Sequence, residues 1–268
     1  MTTLLHRRLT PASLSELIST APTEPVFLTA DHRRSLGARF RAVPTANQRR
    51  IDAWSVETAA KTASAFSWSP GVARRVIGNA ALRRVLKNPG LTLLDAVNDE
   101  IAELYYRSAS GVARGGSLAF WIAGVAPSVV GLVSAEALNW ATQLGEIAET
   151  IEEPWDIYGA DAYYDVATAR TTLRGRRDIL VGSPSSRVVL RVRAGMPGKS
   201  AGPGLRADLT VEALATPNGL SPQRIIGLWP EAGVALSVDG TMNDLRAGAR
   251  DLVRTSVVQQ RVLAQKAA

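Results

Sequence analysis

The sequence predicts a mixed α/β fold: a central mixed sheet flanked by helices, with a helical extension on its N-terminal side. Three observations carry that expectation. Residues 171–195 hold two strand-like runs joined by a Gly-Ser-Pro turn. A helix-like stretch at 205–215 separates them from another apolar run at 224–229. Helical patterning fills most of residues 51–151 before these runs begin. The chain therefore divides into a basic arm at 1–50, a helical region at 51–150 and an α/β core at 151–268.

Taken in order, the arm holds a short helix at 11–18 with Thr10 or Ser13 as cap, then Pro22, Pro25 and Pro44 among scattered arginine pairs. No apolar stretch follows the early Arg7-Arg8 pair, so no secretory leader is expected. Helices are expected at 51–66 and 70–86, the second opening on Pro70 and stopped by Asn88-Pro89-Gly90. A third, at 92–108, spaces Asp95, Asp99 and Glu103 four apart, which suits either a solvated acidic face or a row of metal ligands. Residues 115–135 carry no charge, but Pro127 and the glycines favour two buried helices broken at Ala126-Pro127, with Ser128 capping the second, over a membrane span.

Strand-like pieces at 154–158 and 162–166 precede the runs at 173–181 and 187–194. In the latter, Val188, Leu190 and Val192 alternate with Val189, Arg191 and Arg193, which reads as a hairpin with one dry face and one cationic face. The loop at 195–204 contains Gly198-Lys199-Ser200, yet a phosphate-cradling loop needs a glycine where Arg193 stands and a helix directly after Ser200, and neither is expected. Strands at 224–229 and 234–238 and a closing helix at 242–266 complete the chain, with Leu245, Leu252 and Val253 inward. Arg246, Arg250 and Arg254 recur every four residues on that helix, as a ridge for phosphate or as an exposed face beside Asp244 and Asp251.

Gly175-Arg176-Arg177-Asp178 followed by Leu190-Arg191-Val192-Arg193-Ala194-Gly195 resembles the core of the PD-(D/E)XK nuclease superfamily, in its RecB/Cas4-like branch. The similarity spans residues 155–239. It implies a restriction-endonuclease-like core in which Asp178 matches the motif aspartate. Arg191 stands in place of the second acid, and Arg193 in place of the lysine. Metal-dependent phosphodiester cleavage needs two or more carboxylates around a divalent cation, and an arginine cannot lose its charge. The resemblance thus implies a protein that keeps nucleic-acid affinity without catalysis, with Arg174, Arg176, Arg191, Arg193, Lys199 and Arg206 contacting phosphates. The alternative is an active Mg²⁺-dependent nuclease in which Asp178 is joined by a relocated acid: Glu212, Asp208, Glu146 or Glu149.

Composition is consistent with these expectations. The 268 residues are enough for a sizeable core, and 46% are hydrophobic against 21% charged, which argues against disorder. There is no cysteine, so disulfides, thiolate metal sites and cysteine-held clusters are excluded, and a cytoplasmic setting is expected. Only His6 and His32 occur, both in the arm, so a histidine-based centre is not expected. The net charge of +7 favours an anionic partner, DNA or another nucleic acid, while 6% aromatics offer no extended base-stacking surface. A docking subunit of a larger assembly is the remaining reading.

Overall fold

A computed structural model describes residues 5–24, 26–43, 50–53, 56, 68–113, 115–151, 155–157, 163–168, 171–176, 178–183, 186–193, 195–216 and 220–267. The chain forms two compact units. One comprises residues 1–64, 151–156 and 162–268, and the other 65–150 and 157–161.

The first unit is built on a six-stranded mixed sheet. Its strands are β1 (Leu5–Arg8), β3 (Trp155–Ile157), β6 (Ile179–Ser183), β7 (Ser186–Val192), β8 (Arg224–Trp229) and β9 (Val234–Asp239), in the order β1-β9-β8-β7-β6-β3. β6 and β7 are antiparallel, with Ile179 opposite Leu190. β7 and β8 are parallel, with Arg191 opposite Gly227, and the crossover between them contains helix α7 (Ala201–Ala215). A parallel neighbour requires such a crossover. β9 then returns antiparallel beside β8, and β1 closes the edge against β9. Every residue of β8 is buried, which is why its sequence, RIIGLW, lacks alternation.

A second sheet of three strands, order β2-β5-β4, joins β2 (Arg50–Asp52), β4 (Tyr163–Ala167) and β5 (Thr172–Arg176). The run expected to end at Val181 is therefore two strands in different sheets, interrupted after Arg176. Ile51 opens no helix; it pairs in β2 with Leu173 of β5 and is fully buried. The rest of the helix expected at 51–66 lies outside the described residues apart from Asp52, Ala53 and Val56. The arm also departs from expectation, because its first strand completes the main sheet. Helix α1 (Pro11–Ser19) opens with Thr10 accepting the Ser13 N–H at 3.2 Å while the Ser13 hydroxyl accepts the Thr10 N–H at 2.9 Å. Helix α2 (Ala30–Arg39) follows, capped by Thr29.

Leu173, Val189, Leu205, Leu209, Ile225 and Trp229 form the centre of this unit's core, with Leu245 and Leu252 from the closing helix. That helix is numbered α8 below, after the four helices of the second unit. The second unit consists of α3 (Pro70–Lys87), α4 (Leu93–Ala109), α5 (Leu118–Gly124) and α6 (Pro127–Glu149). Ala73, Ile77, Ala81, Val97, Ile122, Val133 and Ala137 pack its interior. A Cβ on Gly78 would lie 2.7 Å from the Ala137 carbonyl oxygen, so glycine permits α3 and α6 to approach closely. Trp140 donates its indole N–H to Asn79 at 2.9 Å in that contact.

The break before Pro127 occurs as expected, but Ala126 is the cap position and Ser128 lies inside α6. Proline at the first helical position needs no N–H partner there. Asp95, Asp99 and Glu103 lie on the solvated side of α4, with Arg84 3.8 Å from Asp99. Among the described residues, no helix is long and apolar enough to cross a membrane.

Candidate functional site

Among the residues singled out by the nuclease resemblance, Arg191, Arg193, Asp208 and Glu212 converge in the first unit, between β7 and α7. In β7, side chains at 187, 189, 191 and 193 share one face by the two-residue period of a strand. α7 covers that face, so the cationic side is interior: Arg191 is 0% exposed, and Val188, Leu190 and Val192 on the other face are buried too. Alternation of charge along a strand reports its two faces but not what packs on each. Gly227, opposite Arg191, leaves room; a Cβ there would sit 2.6 Å from the Trp229 ring and 3.0 Å from Leu205.

Two carboxylates reach Arg191 from α7. Asp208 and Glu212 are four residues apart, hence on one helical face, and both are buried. Arg191 Nε lies 3.5 Å from Asp208 Oδ2, and Arg191 Nη2 lies 3.9 Å from Glu212 Oε2. Arg193 also pairs with Asp208, and Arg187 Nη1 stands 4.0 Å from Glu212 Oε1 while its other terminal nitrogen donates to the Thr216 hydroxyl. Burial works against charge on Arg191, but Asp208, Tyr164, Asp178 and Glu212 outweigh it and raise its pKa further above the ordinary range.

Asp178 lies at the entrance to β6 and is 1% exposed. Its Oδ2 accepts the Val192 N–H at 3.1 Å and an Arg176 N–H at 3.0 Å, and Arg176 stands 2.9 Å from Oδ1. Burial alone would raise the Asp178 pKa. The charges of Arg176 and Arg191, the Arg176 hydrogen bond and the charge of Arg193 reverse that and hold it below 3.8.

Tyr164 extends the cluster from the smaller sheet. Its phenol is turned toward Glu212, and burial, with the Glu212 charge behind it, pushes its pKa well above 10.0. The partner across β5 is Gly175, where a Cβ would fall 2.3 Å from the Tyr164 hydroxyl and ring. The first glycine of the nuclease-like motif thus makes space for a tyrosine ring.

The remaining expected residues lie elsewhere. Arg174 makes a two-pronged bond to Asp165, at 2.7 and 3.0 Å, on the adjacent strand β4. Arg206, on α7, lies 3.4 Å from Asp251. Lys199 is exposed on the loop before α7. That helix does begin directly after Ser200, contrary to expectation, although Arg193 still stands where a phosphate-cradling loop needs glycine. Glu146 and Glu149, the other proposed acids, belong to the second unit.

Sequence reasoning missed Tyr164 as a cluster member and Arg187 as a partner of Glu212. Arg187 shares its parity with Arg191 and Arg193, a signal that was there to be read.

These donors do not fit a divalent cation. Asp178 is bonded to Arg176 and a backbone N–H, and Asp208 and Glu212 face a guanidinium that stays charged at every accessible pH. Among the described residues, no three His, Asp or Glu side chains gather as a ligand set. What the arrangement can do is hold the strand, helix and smaller sheet together by mutual neutralisation. Comparison of the chain with protein-family models and with curated proteins finds no match.

Proposed function

We propose that this chain is a nuclease-like protein that binds nucleic acid without cleaving it. The observation that carries the reading is Arg191: a buried arginine flanked by Asp208 and Glu212 at the point where the resemblance requires an acid and a metal. The +7 net charge supplies the affinity for polyanions. Among the six cations proposed for phosphate contact, Arg191 is inaccessible and serves the core. Arg174, Arg176, Arg193 and Arg206 reach phosphate only in competition with Asp165, Asp178, Asp208 and Asp251; among the described residues no acid pairs with the exposed Lys199. Action in the cytoplasm, a setting compatible with the lack of cysteine, is part of the same proposal.

The test incubates the full chain with labelled single- and double-stranded DNA and with RNA, across salt, with and without Mg²⁺ or Mn²⁺. The expected result is salt-sensitive binding of intact nucleic acid. Cleavage abolished by Asp178→Asn would replace this reading with the active-nuclease one, and no binding at low salt would reject both.

A docking role has its own support in the helical unit, where Tyr106 is 68% and Phe120 59% exposed. That reading predicts a stoichiometric protein partner on copurification and no nucleic-acid binding.

A further inference from the structure

The closing helix α8 (Met242–Ala267) presents a row of arginines that the central cluster does not use. Its rotation is fixed from the inside. Gly248 faces α7 so closely that a Cβ there would lie 2.2 Å from the Arg206 carbonyl oxygen, and the Thr210 hydroxyl donates to the Leu245 carbonyl at 3.0 Å. Leu245, Ala249 and Leu252 are fully buried on the same side. The helical period then turns Arg246, Arg250 and Arg254 outward, and all three are exposed.

The two acids beside this row on α8, Asp244 and Asp251, are engaged elsewhere. Asp244 is buried in the first turn, where its carboxylate and N–H both bond the Thr241 hydroxyl. Asp251 pairs with Arg206 of α7. Among the described residues no acid pairs with Arg246, Arg250 or Arg254, so each stands four residues from a like charge. Such spacing is unfavourable for an isolated helix surface and becomes favourable beside a polyanion. The row extends about 12 Å at about 1.5 Å per residue. Along one strand of a duplex that length faces about three to four phosphates, spaced about 3.4 Å along the axis.

We infer that Arg246, Arg250 and Arg254 form the surface that contacts the phosphate backbone of nucleic acid. This inference rests on the proposed function and relocates its contacts from the former catalytic region to the outer side of α8. Contact is electrostatic and independent of base sequence.

The experiment measures duplex DNA affinity of the full chain between about 50 and 200 mM salt, for the natural sequence and for a variant with all three arginines changed to alanine. Alanine is a strong helix former, so the fold is expected to persist, as circular dichroism would verify. The slope of log affinity against log salt is expected to become shallower by about 2.7, at about 0.9 per phosphate released, and low-salt affinity to fall about tenfold or more. A variant with three lysines is expected to keep the natural slope.

If the natural chain binds DNA and the alanine variant binds with the same slope, the ridge assignment is overturned while the proposed function stands. If the natural chain binds neither DNA nor RNA, the proposed function fails with it. Loss of nucleic-acid binding but retention of ridge-dependent binding to phosphatidylglycerol vesicles or polyglutamate would overturn nucleic acid as the occupant.

Discussion

Arginine serves opposite purposes in two places of the first unit. On β7, Arg191 is enclosed and faces two carboxylates, and it ties a strand to the helix across it. On α8, Arg246, Arg250 and Arg254 are exposed with no acid partner among the described residues. The same formal charge therefore means cohesion inside and availability outside. Local charge density does not distinguish them; burial and partners do.

The largest expected effect comes from breaking the interior set. Arg191→Met keeps most of the volume and removes the charge, leaving buried carboxylates opposed only by the rim arginines. Loss of one partner from such a set costs about 3–5 kcal/mol, read as a lower urea midpoint. Asp178→Ala should come next, because it strands the buried Val192 N–H and removes the carboxylate that Arg176 bonds. A buried donor left without a partner costs about 1–3 kcal/mol.

Gly175→Ala tests the steric half of the arrangement. Its Cβ must displace Tyr164, and overpacking of this kind costs about 1–3 kcal/mol. Loss of the Tyr164 near-ultraviolet circular-dichroism signal in a still-folded variant would locate the damage there.

Acidity sharpens the comparison further. The Asp178 pKa is lower in the folded chain than its ordinary 3.8, so its contribution is complete above 3.8 and is lost as pH falls through the depressed value. The Tyr164 pKa is raised, so stability falls as pH climbs past 10.0, where the unfolded chain releases a proton that the folded one retains. Unfolding midpoints measured at the two extremes should show both declines, and Asp178→Ala should weaken the acid one.

The smallest expected effect on stability is at the ridge. Arg250→Ala should change unfolding free energy by no more than about 0.5 kcal/mol, since it removes two like-charge neighbours and no packed contact. A loss of 2 kcal/mol or more, roughly the scale of a buried-contact deletion, would mean that the ridge is structural after all.

Much of the fold was legible because periodicity is local. Helix α3 begins at Pro70, the break before Pro127 falls where expected, and β8 and β9 follow the expected runs almost residue for residue. The failures were tertiary. A three-residue strand leaves too little pattern to detect at Ile51; pairing with Leu173 determines it. Gly202-Pro203-Gly204 reads as a loop in the sequence, which hides the start of α7 at Ala201. In the structure Pro203 falls in the first turn, where its missing N–H costs nothing, and both glycines are buried. At the cluster, the motif residues were found but their accessibility was not. Whether α7 lies over Arg191 is a property of the crossover between β7 and β8, which strand alternation does not encode.

The central claim is that Arg191 acts by neutralising the carboxylates of α7. The measurement that tests it most directly is a double-mutant cycle, the urea unfolding free energies of Arg191→Met, Asp208→Leu and the pair. The account predicts that the double variant is more stable than the sum of the single losses implies, by about 1–3 kcal/mol. Additivity to within about 0.5 kcal/mol would contradict it.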